Sequence, residues 1–178
     1  MHDTWMKIKQ WLRLLFKQAR RPFIPGGEVC VEATLRAVHL GPDGRVIKDH
    51  GIVSTKSVTD AFVQFVVDQL QVETSEFGDF KYHDSGTGVV AENVTDTGLG
   101  TKVETGRATG TQTEGASANI YRSVGTISYT ATRAITEHGL FSQAAAGTLM
   151  DRSVFTAINV NNGDSIQFTY ELTLPSGG

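Results

Sequence analysis

The clearest alternation of apolar and polar residues lies near the C-terminus of the chain. Over residues 164–174 one face carries Ile166, Phe168, Tyr170, Leu172 and Leu174, and the other face carries polar side chains. A period of two indicates a half-buried strand. Asn162-Gly163 precedes it, and this dipeptide is the strongest short hairpin signal. We therefore predict antiparallel pairing between this strand and a second strand over 149–160.

Alternation also marks other strands in the body of the chain. Residues 28–38 and 121–131 each place small or apolar side chains at every second position. A turn at 41–44, with the sequence Gly-Pro-Asp-Gly, predicts a returning strand at 45–48. A capping box at 57–60 precedes apolar residues at helical spacing, which predicts one helix over 58–70.

Composition changes between residues 84 and 119. This stretch holds seven Gly and eight Thr and no aromatic residue. Loops of this length are uncommon inside a compact domain. We therefore expect a long Gly/Thr-rich arm or set of loops that a neighbouring molecule orders, with short strands around 99–103.

The order of elements predicts a mainly β fold. We expect an antiparallel β-sandwich, jelly-roll-like, with one short helix and an N-terminal amphipathic helix, and not the core of an α/β enzyme. The domain organisation that follows is a basic amphipathic helix with a Pro/Gly linker over 1–25, and a sandwich domain over 26–178 that contains the arm at 84–119.

The first 21 residues differ in charge from the rest of the chain. They carry six basic residues and one acidic residue, a net charge of +5, whereas the remainder carries 10 basic and 18 acidic residues, a net charge of −8. An apolar stripe lies at helical spacing, with basic side chains on the other face. The residues we predict to bind a partner are Trp5, Ile8, Leu12, Leu15, Arg13 and Lys17.

Three interpretations of this helix compete. We favour a helix that packs on another subunit or on its own domain. A membrane-surface helix is the second interpretation. A secretory signal is disfavoured because Lys9, Arg13 and Lys17 interrupt its apolar centre. The single cysteine, Cys30, excludes an intrachain disulfide framework and a cysteine-based zinc site.

Several short motifs are expected to carry no chemistry. Residues 86–91 match G-x-G-x-x-A, but the βαβ setting of a nucleotide site is missing. Asp84-Ser85-Gly86 and Asp96-Thr97-Gly98 match the aspartic protease tripeptide, and we interpret both as turns.

The five histidines show no metal-ligand spacing. We predict no catalytic residue, no metal and no cofactor. We interpret Asp151-Arg152 as protection of a strand edge, with an intersubunit ion pair as the alternative.

Five segments carry a resemblance to a known family. They are KYHDSGTG at 81–88, AITEHGLFS at 134–142, GTLMDRSVF at 147–155, INV at 158–160 and GDSIQFTY at 163–170. The pattern E-x-G-L-F, then x-R-x-x-F, then G-D-x-I-x-F-x-Y resembles small virion structural proteins of tailed bacteriophages and prophages, over about residues 80–178. The resemblance implies a non-enzymatic virion component, and it brings no catalytic residues.

We expect a capsid decoration or cement protein that is located in the virion and assembled in the bacterial cytoplasm. Its expected partners are further copies of itself, as a trimer or dimer, and other virion proteins such as the major capsid protein; we expect no nucleic acid. The alternative is a neck or tail component, as an adaptor or in a baseplate. A third reading is a host-surface carbohydrate-binding module, for which Tyr82, Tyr121 and Tyr129 are the candidate aromatics, although alternation places Tyr129 in the core.

Overall fold

A computed structural model describes residues 31–56, 58–71, 79–103 and 106–174. Within them lie nine strands and one helix. In chain order these are β1 (Glu32–Leu40), β2 (Val46–Lys56), α1 (Asp60–Gln71), β3 (Tyr82–Gly86), β4 (Ala108–Thr109), β5 (Thr111–Glu114), β6 (Ile120–Ser128), β7 (Arg133–Phe141), β8 (Leu149–Val160) and β9 (Ser165–Thr173). The amphipathic helix and linker predicted for 1–25 lie outside the described residues.

The strands form two antiparallel sheets, which confirms the predicted fold class. The five-stranded sheet has the order β2-β1-β9-β6-β5, and the four-stranded sheet has the order β4-β3-β7-β8. The main apolar core includes Leu35, Ile127, Ile158, Ile166 and Phe168, all at most 4% exposed. The predicted inward face of β9 is confirmed from Ile166 to Leu172, whereas Leu174 lies beyond the strand and is half exposed.

The predicted pairing of β8 with β9 is wrong. β8 pairs with β7, whereas β9 lies between β1 and β6 in the other sheet. The Asn-Gly turn is nevertheless tight: Gly163 has a φ of 91°, and the Asp164 carboxylate accepts a hydrogen bond of 2.8 Å from the backbone N–H of Asn161. The turn therefore carries the chain from one sheet to the other. Alternation shows that each strand buries one face, but it does not say which neighbour the strand pairs with.

The predicted helix exists, and its N-cap is Thr59. The Thr59 hydroxyl accepts a hydrogen bond of 3.2 Å from the Phe62 N–H and donates one of 2.5 Å to the Leu149 carbonyl oxygen. The cap therefore ties the first turn of α1 to β8. Phe62 and Phe65 pack edge-on against Phe80, at centroid distances of 5.2 and 5.1 Å.

The Gly/Thr-rich segment at 84–119 lies against its own chain where the structure describes it. It contains the end of β3 and all of β4 and β5. Between β3 and β4, the backbone N–H groups of Gly88, Gly100 and Thr101 donate to the side chain of Glu137 in β7. We call residues 87–103 the covering loop. Contacts within one chain account for its position, in contrast to the expected arm ordered by a neighbour.

Candidate functional site

Glu137 lies at the centre of the polar cluster under the covering loop. Its side chain is fully buried and accepts hydrogen bonds from Gly88 N (2.9 Å), Gly100 N (2.9 Å), Thr101 N (2.6 Å) and Arg152 Nε (2.8 Å). Burial alone would raise the pKa of Glu137, but the backbone N–H groups and the Arg152 guanidinium outweigh it and lower the pKa. Glu137 is therefore an ionised carboxylate whose partners all come from its own chain.

Arg152 connects the four-stranded sheet to the covering loop. Its side chain is 4% exposed, and besides Glu137 it donates to Asp96 Oδ2 at 2.9 Å and to the Val90 carbonyl oxygen at 3.2 Å. The interpretation of Asp151-Arg152 as protection of a strand edge is therefore wrong. The alternative, an intersubunit ion pair, is not what Arg152 forms either, because its ion pairs are with Glu137 and Asp96 of the same chain. We call Glu137, Arg152 and Asp96 the buried clasp, because these three side chains fasten the loop to the sheet.

The glycines of the G-x-G-x-x-A motif surround this carboxylate. A Cβ atom at Gly86 would lie 2.4 Å from Glu137 Oε1, and one at Gly88 would lie 2.5 Å from it. No real side chain tolerates such distances. The glycine-rich loop thus surrounds an anion, as such loops do in phosphate sites, but the anion is a side chain of the same protein.

The two aspartates of the protease-like tripeptides have separate structural partners. Asp84 pairs with Lys102 Nζ at 2.7 Å and lies 3.5 Å from Arg107 Nε. It sits in strand β3, so its interpretation as a turn residue is wrong. Asp96 does lie in a turn, where its N–H donates to the Asn93 carbonyl oxygen at 2.9 Å. Each carboxylate is neutralised by a basic side chain of its own, and Asp96 belongs to the buried clasp.

Two histidines that are far apart in sequence meet between the sheets. His83 in β3 and His138 in β7 are both 0% exposed, and His83 Nδ1 lies 2.9 Å from His138 Nε2. His83 Nε2 lies 2.9 Å from Ser123 Oγ, and His138 Nδ1 has no partner within the described residues. A buried N–H without an acceptor costs more than an unused lone pair. We therefore assign the proton of each ring to Nε2, so that His138 donates to His83 and His83 donates to Ser123.

Burial keeps the histidine pair uncharged at neutral pH. It lowers the pKa of His83 to about 3, and burial together with the charge of His83 lowers the pKa of His138 well below its usual value. Gly125 of β6 provides the space, since a Cβ there would lie 2.4 Å from His83 Cδ2. Burial also raises the pKa of Asp151 on β8 to about 6. The sandwich core thus contains two neutral imidazoles and a carboxyl group that ionises less readily than in water.

Sequence reasoning missed both the histidine pair and the buried clasp. The two histidines are 55 residues apart, and Arg152 and Asp96 are 56 apart, so only strand pairing brings them together. One signal was available. Residues 135–141 lack the alternation of apolar and polar side chains that marks a strand with one solvent-exposed face, and in the structure all seven are buried.

The outer face of the five-stranded sheet is open to solvent. A shallow groove of about 400 Å³ runs over it, lined mainly by Thr34, Arg36, Ile52, Arg122, Gln167 and Glu171. Arg122 pairs with Glu171 at 2.6 Å, and Arg36 pairs with Asp49 of β2. The groove lining holds no aromatic ring of the kind that stacks on sugars. Of the three tyrosines considered for sugar binding, Tyr129 is buried, as alternation indicated, and Tyr82 and Tyr121 are half buried.

The residues predicted to bind a partner, Trp5 to Lys17, lie outside the described residues. The part of the chain that the structure describes contains no group of three or more potential metal ligands. In that same part, no helix is both long enough and apolar enough to cross a bilayer. Comparison of the chain with protein-family models, with curated proteins and with solved structures finds no match.

Proposed function

We propose that this chain is a non-enzymatic virion structural protein of a tailed bacteriophage or prophage, and that it decorates and stabilises the capsid shell. The supporting observation is the role of the motif residues that carry the resemblance. Glu137 and Arg152 belong to the buried clasp, while Leu140, Phe155 and Phe168 pack in the core. The motif residues therefore stabilise the sandwich and its covering loop. This is the pattern of a family whose members share a scaffold and differ in their exposed surfaces.

The ionisable groups of the motif are also poorly suited to act on a substrate. The side chain of Glu137 is 0% exposed and that of Arg152 is 4% exposed, and both are engaged within the chain. A general acid, base or nucleophile must reach the atom it attacks or protonates. A sandwich in which the motif carboxylate and guanidinium are both paired within the chain suits a protein whose task is to contact other proteins.

The copy number of the chain in purified particles tests the proposal. We expect quantitative mass spectrometry against the major shell protein to give hundreds of copies, because decoration follows the shell lattice. About six to twelve copies would instead favour the alternative, a neck or tail ring with closed rotational symmetry. Absence of the chain from purified particles would overturn both.

A second experiment tests the attachment role of the N-terminal stripe. Removal of residues 1–21 is expected to weaken binding to particles or self-association. Leu12→Glu, which places a charge on the stripe, is expected to have the same effect. Gln10→Glu adds the same charge away from the stripe and serves as the control. Unchanged particle affinity after the truncation would refute this role for the segment.

A further inference from the structure

Strand β5 lies at one end of the five-stranded sheet, and no described strand pairs with its outer edge. All of its residues, Thr111–Glu114, are exposed. Its inner edge pairs with β6 in an unbroken antiparallel register, from Thr111 opposite Val124 to Glu114 opposite Tyr121. A regular edge of this kind presents unpaired backbone groups to which another strand can add.

The hydrogen-bond pattern shows which backbone groups of β5 point outward. The Gly115 N–H donates to the Ile120 carbonyl oxygen at 2.8 Å, so these two residues are a hydrogen-bonded pair of the antiparallel ladder. Such pairs recur at every second residue, which directs the odd-numbered residues of β5 toward β6. The N–H and C=O groups of Gln112 and Glu114 therefore point away from the sheet. Neither N–H has a backbone or side-chain acceptor within the described residues.

The two long edge strands of the described residues are less suited to pairing. Strand β2 shows several register shifts against β1, and it carries Lys48 and Lys56. Strand β8 is covered where it begins, since the Thr59 N–H donates to the Met150 carbonyl oxygen at 2.9 Å, and its pairing with β7 is also shifted in register. Bulges, lysines and covering segments keep strand edges from pairing with other molecules. The edge of β5 has no bulge and no lysine.

We propose that two copies of this chain associate through β5, edge to edge and antiparallel, so that their five-stranded sheets join into one continuous sheet. The two-fold axis passes beside Thr113 and places Gln112 of each copy opposite Glu114 of the other. Because both residues direct their N–H and C=O groups outward, each opposing pair exchanges two backbone hydrogen bonds. The inference is independent of the proposed virion role, because it concerns the isolated chain in solution.

A second copy fits this edge because the edge is complementary to itself in that register. Thr113 meets Thr113 and Gln112 meets Glu114, so no like charges lie directly opposite each other. The Gln112 amide donates to the Tyr121 hydroxyl at 3.0 Å and retains a second N–H for the Glu114 carboxylate of the other copy. The association requires no change of fold, since the hydrogen bonds between β5 and β6 lie on the opposite edge of β5.

Amide hydrogen exchange of the full chain, labelled with ¹⁵N, tests the pairing at two protein concentrations, about 10 μM and about 1 mM. In a single molecule the N–H groups of Gln112 and Glu114 face solvent, whereas those of Thr111 and Thr113 bond to β6. For a Kd of about 0.1 mM, we expect Gln112 and Glu114 to exchange about fourfold more slowly at the higher concentration. Thr111 and Thr113 serve as internal controls that should stay protected throughout. Equal exchange of Gln112 and Glu114 at both concentrations would overturn the proposal.

Disulfide trapping tests the register. In a Cys30→Ser background, Thr113→Cys places two thiols directly opposite each other at a non-hydrogen-bonded position, where Cα atoms lie about 4.5 Å apart and a disulfide can form. Thr111→Cys is the matched control, because it changes the same residue type on the same face of β5 but lies away from the axis. Mild oxidation should yield linked dimers of Thr113→Cys and not of Thr111→Cys. Equal trapping of both variants, or no trapping of Thr113→Cys, would contradict the proposed pairing.

A proline substitution separates this edge from any other surface that might join two copies. Glu114→Pro removes one outward N–H from each copy and keeps the bonds to β6, because proline is tolerated where the N–H of an edge strand faces solvent. Sedimentation equilibrium should show self-association about thirtyfold weaker, since one hydrogen bond is lost on each side of the axis. Glu114→Ala keeps the N–H and is the control, and circular dichroism checks that both variants fold. Undiminished association of folded Glu114→Pro would overturn the proposal.

Discussion

The histidine pair should make the protein sensitive to mild acid. His83 and His138 must enter the folded core as neutral imidazoles, whereas in the unfolded chain each binds a second ring proton with its ordinary pKa of 6.5. A folded-state pKa below the unfolded value means that the stabilisation is fully present above pH 6.5. It is lost progressively as the pH falls below that value, because the unfolded state then binds more protons.

The size of the effect follows from the two pKa values. With His83 at about 3 in the folded protein, lowering the pH from 7 to 5 costs about 2 kcal/mol for this residue. The pKa of His138 is also held well below its usual value, so this residue adds to the loss of stability over the same interval.

One buried carboxyl group opposes this loss. Because the pKa of Asp151 is about 6 in the folded protein and 3.8 in water, the folded state binds the extra proton between these values, and Asp151 gives back about 1.4 kcal/mol by pH 5. His83 alone exceeds this gain by about 0.5 kcal/mol, and His138 enlarges the net loss of stability between pH 7 and pH 5. The lowered pKa values of Glu137, Asp96 and Glu92 add to the loss only near and below pH 4.5.

Urea unfolding at pH 7 and pH 5, followed by circular dichroism, measures this difference. Circular dichroism suits the chain because it follows the strands of the sandwich, whereas both tryptophans, Trp5 and Trp11, lie outside the described residues. His138→Gln removes one titrating group, so the net loss between the two pH values should shrink to about 0.5 kcal/mol. Asp151→Asn removes the opposing group, so the loss should grow by about 1.4 kcal/mol. The two variants thus change the pH dependence in opposite directions. Equal stability of the wild-type chain at both pH values, or an unaltered pH dependence in His138→Gln, would refute the reasoning.

Three further substitutions test other parts of the structure. Glu137→Gln leaves the Arg152 guanidinium buried without its closest carboxylate, so we expect a loss of about 3–5 kcal/mol in urea unfolding and faster proteolysis of the covering loop. Gly125→Ala places a methyl group against His83, and overpacking of this kind should lower stability by about 1–3 kcal/mol in the same assay. Thr59→Ala removes the cap of α1 and should cost about 1 kcal/mol; an unchanged unfolding midpoint in any of the three would contradict the contact concerned.

The sequence was informative wherever one face of an element is buried. The period of two in β9 identified Ile166, Phe168 and Tyr170 as core residues, and helical spacing located α1 to within two residues at its N-terminus. Both predictions depend on local patterns that arise because one face of the element is buried and the opposite face meets solvent.

Sequence reasoning failed where partners come from distant segments. The assignment of β8 and β9 to different sheets depends on which strands lie beside them, and no local pattern records that choice. The buried clasp needs Glu137, Arg152 and Asp96 to be brought together by strand register and by a loop of irregular backbone. The composition of residues 84–119 suggested an arm, because their seven glycines are typical of a flexible segment, and the sequence does not show that Gly86, Gly88 and Gly100 lie against the Glu137 carboxylate.

The covering loop makes the two broad sides of the sandwich unequal. One side is sealed by the chain itself, and the other presents the side chains of the five-stranded sheet. If two copies met through their open sides, the contact would be isologous, and each copy would bury the exposed sheet face of the other. Stacking of sandwiches, sheet on sheet, would then stop at two molecules. Any larger assembly would need another surface of the molecule, such as a strand edge or the outside of the covering loop, where Val89 and Val90 are exposed.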